Sequence, residues 1–447
     1  MATPLSRHPL KSLVENQKRG LPEGITSVCS ANEYVLLATL ERSLEKNLPV
    51  LIEATANQVN QYGGYTGMKP ADFRNFVEGL AKQAGFPLGR LILGGDHLGP
   101  LTWKDCDETS AMSESKELIR QYVAAGFTKI HLDTSMHLAS DDKKRKLATT
   151  VVARRGAELA AVAEETFREL LKTSPKALHP VYVIGSEVPI PGGAQEEEDG
   201  LQVTKVPDFL DTVETYRQVF EGAGLAEAWG QVVAVVVQPG VEFGDETIHE
   251  YDRSAARSLT KSLAKFPSLV FEGHSTDYQT PEGLRRLVED GVGILKVGPA
   301  LTFALREGLY ALSMIEAELY RYQPEVQLSN FVQVLDDAMA RRPKNWRNHY
   351  RGTPAKIRFA RKFSFSDRAR YDLPDPEVRE ATALLLENLS RETIPLSLLS
   401  QYMPLQYQQV RQRRLKNEPV ALLKDRVVNC LDEYFQAVIP SNVTLPT

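Results

Sequence analysis

Cysteine is scarce: Cys29, Cys106 and Cys430 are the only three in 447 residues, and none stands in a Cys-x-x-Cys spacing. A disulfide framework and a thiolate zinc site are therefore excluded, so any metal must be held by histidine, carboxylate or amide groups. Long apolar runs are missing too. No stretch of the chain approaches the ~20 residues that a membrane span needs, and the first turn of sequence lacks the apolar centre of a signal peptide. The expectation is a cytoplasmic protein with no membrane partner. Charge of one sign is also lacking, because a formal net charge of -5 leaves no basic footprint; nucleic acid is excluded as a partner on that ground. There is no internal repeat, no low-complexity segment and no G-x-G-x-x-G fingerprint that would bring a dinucleotide.

What is present is an ordinary globular composition, 42% hydrophobic and 25% charged, long enough for a sizeable core and a smaller second unit. Short apolar runs at 25–30, 50–54, 91–96, 129–133, 181–187, 232–238, 269–272 and 294–298 read as buried parallel strands. Amphipathic segments such as 70–84 and 113–125 lie between them, with Gly85 and Gly126 where a helix should stop. Eight βα repeats close most simply into a (β/α)8 barrel. The run at 25–30 is the weakest of the eight, since Thr26, Ser27 and Ser30 are polar. Beyond about residue 310 the strands stop, and helical segments at 313–322, 331–341, 378–389 and 422–437 flank a basic, aromatic stretch at 346–371. The expected organisation is a barrel over 1–310 and a helical extension over 311–447.

Several strands end in a carboxylate, histidine or amide, which places the chemistry at one mouth of the barrel. Asp96-His97 lies between Gly94-Gly95 and Gly99-Pro100, read as a flexible turn presenting both side chains. Glu272 and His274, two residues apart on a strand, share a face and can reach one ion. Glu187 ends another apolar strand and reads as a ligand or a base, because an unpaired carboxylate is costly to bury. The amide of Gln238 suits either a metal or a substrate hydroxyl, and Asp133 either a substrate or a helix cap. Lys296 and Gly298 lie where the last strand runs into a turn and helix, a place that favours phosphate. Ser366, Arg368 and Arg370, with Ser364, Arg347 and Arg351, supply further phosphate donors, or form a solvated basic face.

The segments beginning at Glu53-Ala54-Thr55, Gly94-Gly95-Asp96-His97, Val183-Ile184-Gly185-Ser186-Glu187, Glu272-Gly273-His274-Ser275-Thr276-Asp277 and Lys362-Phe363-Ser364-Phe365-Ser366-Asp367-Arg368 carry a resemblance over nearly the whole chain. The sequence resembles the family of the GatZ/KbaZ-type subunit of class II tagatose-1,6-bisphosphate aldolase and the ketose-6-phosphate 4-epimerases. The resemblance implies a (β/α)8 barrel, a divalent metal (Zn, Mn, Co, Ni or Mg) and a ketose or ketose-phosphate substrate. A more distant likeness to catalytic class II aldolases implies that Asp96 is the acid/base and His97 a metal ligand. Where those enzymes place two further histidines, this chain offers Gln238 and Glu272, with His274 close by. The activity implied is interconversion of fructose 6-phosphate and tagatose 6-phosphate by retro-aldol and aldol steps, with Asp96 or Glu187 as base. The alternative is a non-catalytic subunit that stabilises an aldolase catalytic chain; a second copy of the chain is the other expected protein partner.

Overall fold

The computed structural model describes residues 7–186 and 201–440. Ten strands occur in the order β1 (Ile25–Val28), β2 (Val50–Thr55), β3 (Leu91–Leu98), β4 (Lys129–Leu132), β5 (Val181–Ile184), β6 (Val232–Val237), β7 (Glu242–Phe243), β8 (Ile248–His249), β9 (Val270–Gly273) and β10 (Val292–Val297). Eight of them close a parallel barrel in the order β1-β10-β9-β6-β5-β4-β3-β2, and β7 and β8 form a separate antiparallel hairpin. Each barrel strand overlaps one of the eight apolar runs. Helices such as Pro70–Gln83 and Glu108–Ala124 cross between them, each starting on a capped turn and burying one apolar stripe against the sheet.

The first strand tolerates its inward-facing serine because that serine meets a polar group. β1 pairs with β10 from Ile25↔Ile294 to Val28↔Val297 and with β2 at Ser27↔Leu51. Inside the barrel the Ser27 hydroxyl donates to Glu53 at 2.5 Å. Its hydroxyl is a partner for the carboxylate, not a defect in the core.

The opposite end of the barrel is stopped by the helix Pro9–Lys18, which the apolar spacing of the strands did not announce. His8 caps it by accepting the Leu10 N–H, Pro9 starts it, and Leu10, Leu13 and Val14 recur at helical spacing. Those three side chains pack with Ile25, Leu51, Ile92 and Val233 in a core of their own. Burial contributes roughly 1.5–3 kcal/mol for each such side chain. One end of the barrel is thus sealed, and the other is left for chemistry.

The residues after 310 are not a detached unit. The helix Pro299–Tyr320 runs straight through the expected boundary. The last helix, Pro419–Val438, returns to the barrel, where Tyr434 donates to the Thr276 carbonyl at 2.7 Å, Arg42 pairs with Asp432 at 2.6 Å, and the Gly24 N–H reaches the Val438 carbonyl at 2.8 Å. The basic stretch folds over its own barrel mouth. Its Phe365 N–H bonds the Asp245 carbonyl at 2.9 Å, between β7 and β8, and Asp367 accepts from Thr302 and Arg306 of the helix Pro299–Tyr320 at 2.7 and 2.8 Å.

Candidate active site at the barrel mouth

The strands carry a buried ionic layer just inside the mouth. Lys129 Nζ lies 2.8 Å from both Glu53 and Glu272, and Lys296 Nζ lies 2.6 Å from Asp96, 3.3 Å from Glu53 and 3.7 Å from Glu272. All five side chains are buried. Three carboxylates against two ammonium groups leave net negative charge, and burying such charge is tolerated only with close partners or a cation. Burial by itself would raise the carboxyls of Asp96 and Glu272. His97 and Lys296 around Asp96, and Lys129 and Lys296 around Glu272, outweigh it and hold both well below the usual carboxylate range.

Local backbone geometry brings two successive residues to the same side. Side chains alternate along a strand, so Asp96 and His97 should face apart. The register of β3 against β4 shifts between Gly95 and Leu98, and His97 takes a left-handed φ of 47°. Gly94 and Gly95 lie within β3 itself and serve as space, not as a flexible turn: a Cβ on Gly94 would stand 2.7 Å from the Glu53 side chain, and one on Gly95 2.4 Å from Leu98.

Asp96, His131, Glu272 and His274 each offer one ligand atom, all within 4.8 Å of one another. A divalent cation fits this set on three counts. The donors are two imidazole nitrogens and two carboxylate oxygens, a common combination for Zn, Mn, Co or Ni. His131 Nδ1 lies 3.0 Å from Asp96 Oδ1, while its buried Nε2 has no hydrogen-bond partner among the described residues. Burial pushes the His274 imidazole down to about 3, with Lys296 adding to that against Glu272, so the ring is neutral and its lone pair is available.

His97 and Gln238, expected as ligands, stand outside this set. His97 Nδ1 sits 2.7 Å from Asp133, with Asp96 at 3.7 Å from its other nitrogen. Burial alone would lower its pKa, but these two carboxylates outweigh burial and raise it, which favours the protonated ring. Asp133 serves that pair and the Ser135 hydroxyl. The Gln238 oxygen accepts the N–H groups of Gly240 and Val241 at 2.8 and 2.9 Å, closing its own turn. Asp96, expected as the base, joins the ligand set instead. Glu187 lies outside the described residues.

The phosphate expectations divide as well. The N–H groups of Gly298 and Ala300, at the start of the helix Pro299–Tyr320, both donate to Asp277 at 3.0 and 2.8 Å. The chain's own carboxylate holds the place where a phosphate was expected. Burial raises that carboxyl to about 6 despite the two N–H bonds. Lys296 is committed to the ionic layer, and the Ser366 hydroxyl donates to Asp245 at 3.2 Å. Arg370 does line the mouth, in a pocket of about 80 Å³ with Asp96, His97, His274, Lys296 and Tyr371. A cavity of about 710 Å³ adjoins it and shares Cys29, Gln58, Tyr65 and Arg370. Arg368 is buried behind Tyr371, with His349 Nδ1 at 2.9 Å. Sequence reasoning passed over Glu53, Lys129, His131 and Asp277 as site residues. The alternation Lys129, His131, Asp133 along β4 was the signal that could have found two of them.

A family model described as D-tagatose-1,6-bisphosphate aldolase subunit GatZ/KbaZ-like matches residues 10–439. A solved structure described as a probable tagatose 6 phosphate kinase from Sinorhizobium meliloti 1021 is 43% identical, covering 93% of this chain and 100% of its own, with a TM-score of 0.84. A fructose-bisphosphate aldolase from Campylobacter jejuni is 15% identical, over 85% of this chain and 91% of its own, with a TM-score of 0.41. With the family model spanning the barrel and the helices that close it, the chain belongs to the D-tagatose-1,6-bisphosphate aldolase subunit GatZ/KbaZ-like family.

Proposed function

We propose that the chain is a divalent-metal-dependent 4-epimerase that interconverts D-fructose 6-phosphate and D-tagatose 6-phosphate, and the corresponding free ketoses, by retro-aldol cleavage and aldol re-formation. The observation that carries this reading is the buried donor set Asp96, His131, Glu272 and His274 beside a pocket that Lys296 and Arg370 also line. A cation held there would supply Lewis-acid polarisation of the ketose carbonyl. C4 of a 2-ketose is not adjacent to the carbonyl, and without a dinucleotide fingerprint oxidation at C4 has no support. Breaking and remaking C3–C4 avoids both problems.

The chain's own groups suit such a substrate. Lys296, an ammonium kept charged by Asp96, Glu53 and Glu272 against the effect of burial, faces the pocket where negative charge would develop. Arg370 stands between the small pocket and the larger cavity, a position suited to a phosphate at the far end of the sugar. The larger cavity gives a cleaved aldehyde room to turn its other face. If the fragment is retained, C4 is inverted; if it leaves, the same steps make an aldolase.

One observation favours a second reading, a non-catalytic subunit for an aldolase chain. Lys129 and Lys296 already neutralise much of the carboxylate layer, so the barrel can stand without a cation. Incubating the purified, metal-loaded chain alone with fructose 6-phosphate and with tagatose 1,6-bisphosphate, with and without chelator, separates the two. Tagatose 6-phosphate formed only without chelator, followed by NMR, is the expected result. Triose phosphates from the bisphosphate would make the chain an aldolase, and no product from either substrate would favour the subunit reading.

A further inference from the structure

The epimerase reading needs a group that takes the C4 hydroxyl proton and gives it back. Asp96 lies in the ligand set and is shared with Lys296, His131 and the His97 N–H. Lys296 is an ammonium with no proton-accepting capacity, and Asp277 is bound to two helix N–H groups. Among the described residues that line the pocket, the remaining oxygen acids are the phenols Tyr65 and Tyr371.

Only one of these phenols is electrostatically prepared. Asp367 is fixed to Thr302 and Arg306, and the chain then makes the single 3-10 turn Arg368–Tyr371. In such a turn residues three apart lie over one another, which brings Arg368 onto Tyr371. The phenolic oxygen is 3.2 Å from Arg370 Nη2 and 3.5 Å from Arg368 Nη1, and the Arg370 guanidinium lies 4.6 Å from the ring centroid. The ring edge packs on Tyr65 at 4.8 Å, which fixes its plane. Both Tyr371 and Arg370 are half-buried, open to a substrate in the pocket.

We propose that Tyr371 is the acid–base residue at C4, with Arg370 and Arg368 holding its phenolic oxygen. In the cleavage direction the C4 hydroxyl proton passes to the phenolate oxygen, C4 becomes the aldehyde carbonyl, and the C3–C4 electron pair stays with C3 as an enediolate. In the return direction C3 attacks the opposite face of the aldehyde and the phenol returns the proton to the new C4 oxygen. Tyrosine finishes as it began. Burial alone would raise this phenol, but Arg370 and Arg368 outweigh it and hold it below its ordinary value, while burial raises Tyr65. The groups that face the phenol are these two arginines and Tyr65, with His349 behind Arg368 and Asp277 across from Arg370.

The assignment rests on the epimerase reading, and the test separates their failures. Ultraviolet titration of the metal-loaded chain should show one phenol that ionises below the others and is missing from Tyr371→Phe. The same variant should bind its metal and keep its KM for fructose 6-phosphate, while kcat falls by roughly 10²- to 10⁴-fold, the usual range for a lost acid–base group. Arg370→Gln should move the phenol's ionisation upward without touching the tyrosine, which covers the case in which Tyr371→Phe does not fold; its turnover is read on free fructose, so that loss of a phosphate contact does not enter. A raised KM with kcat kept would make Tyr371 a binding residue and overturn the proposal; so would identical titrations of wild type and variant. An inactive wild type that still shows the low phenol would sink the epimerase reading and, with it, the C4 role.

Discussion

Hydrogen-bond partners distinguish the two histidines next to Asp96. His131 offers a buried Nε2 with no described partner, whereas His97 lies between the carboxylates of Asp96 and Asp133, which favour its protonated form. A ring whose protonated form is favoured is the poorer metal ligand, because a metal takes the lone pair of the neutral ring. We therefore expect His131→Ala to lose its divalent metal on dialysis, while His97→Ala, which removes only an outer partner of Asp96, weakens metal binding by roughly 10–100-fold at most. Metal content of the two dialysed variants checks this, and the reverse order would return His97 to the ligand set. The difference was hard to read in the sequence for a physical reason. A polar residue that ends an apolar run stands out in a sequence, as Asp133 does, whereas His131 lies one residue inside β4. Asp96, Glu272 and His274 were legible because each follows an apolar run, but their partners Glu53 and Lys129 are joined to them only by barrel closure.

At the scale of elements, apolar runs announced all eight barrel strands, including the polar β1. They did not announce the helix Pro9–Lys18 or the β7–β8 hairpin, since three apolar side chains or two two-residue strands make too short a pattern. That helix carries a pH signature. Burial, with Lys11 and His179 adding and the Thr128 carbonyl opposing, pushes the His8 imidazole from 6.5 down to about 4. The folded value lies below the unfolded one, so the unfolded chain binds the extra proton in that window. His8's contribution is present above about pH 6.5 and is lost as pH falls through about 4, up to roughly 3 kcal/mol. His8→Asn keeps a side-chain acceptor for the Leu10 N–H but cannot titrate. Urea unfolding from pH 7 to 4 should therefore show a shallower loss of stability in the variant; parallel curves would mean that His8 does not couple to folding.

For the whole molecule, the question is whether the residues after 310 are an appendage or part of the barrel's closure. Their basic stretch supplies Arg370 and Tyr371 to the barrel's own pocket, so the site is incomplete without them. The last helix buries Leu422, Leu423, Val427, Leu431, Tyr434 and Phe435 against the helices Pro299–Tyr320, Pro281–Glu289 and Glu33–Glu45. Six such side chains contribute on the order of 10 kcal/mol. That equals the whole net stability of a typical domain, about 5–15 kcal/mol. Its removal would also leave the Gly24 N–H without its partner, the Val438 carbonyl. A chain ending at Glu418 should thus be insoluble or lack a cooperative melting transition, although every barrel strand is present. If instead it melts cooperatively near the full-length chain, the barrel is self-sufficient and its last helix is an appendage to it.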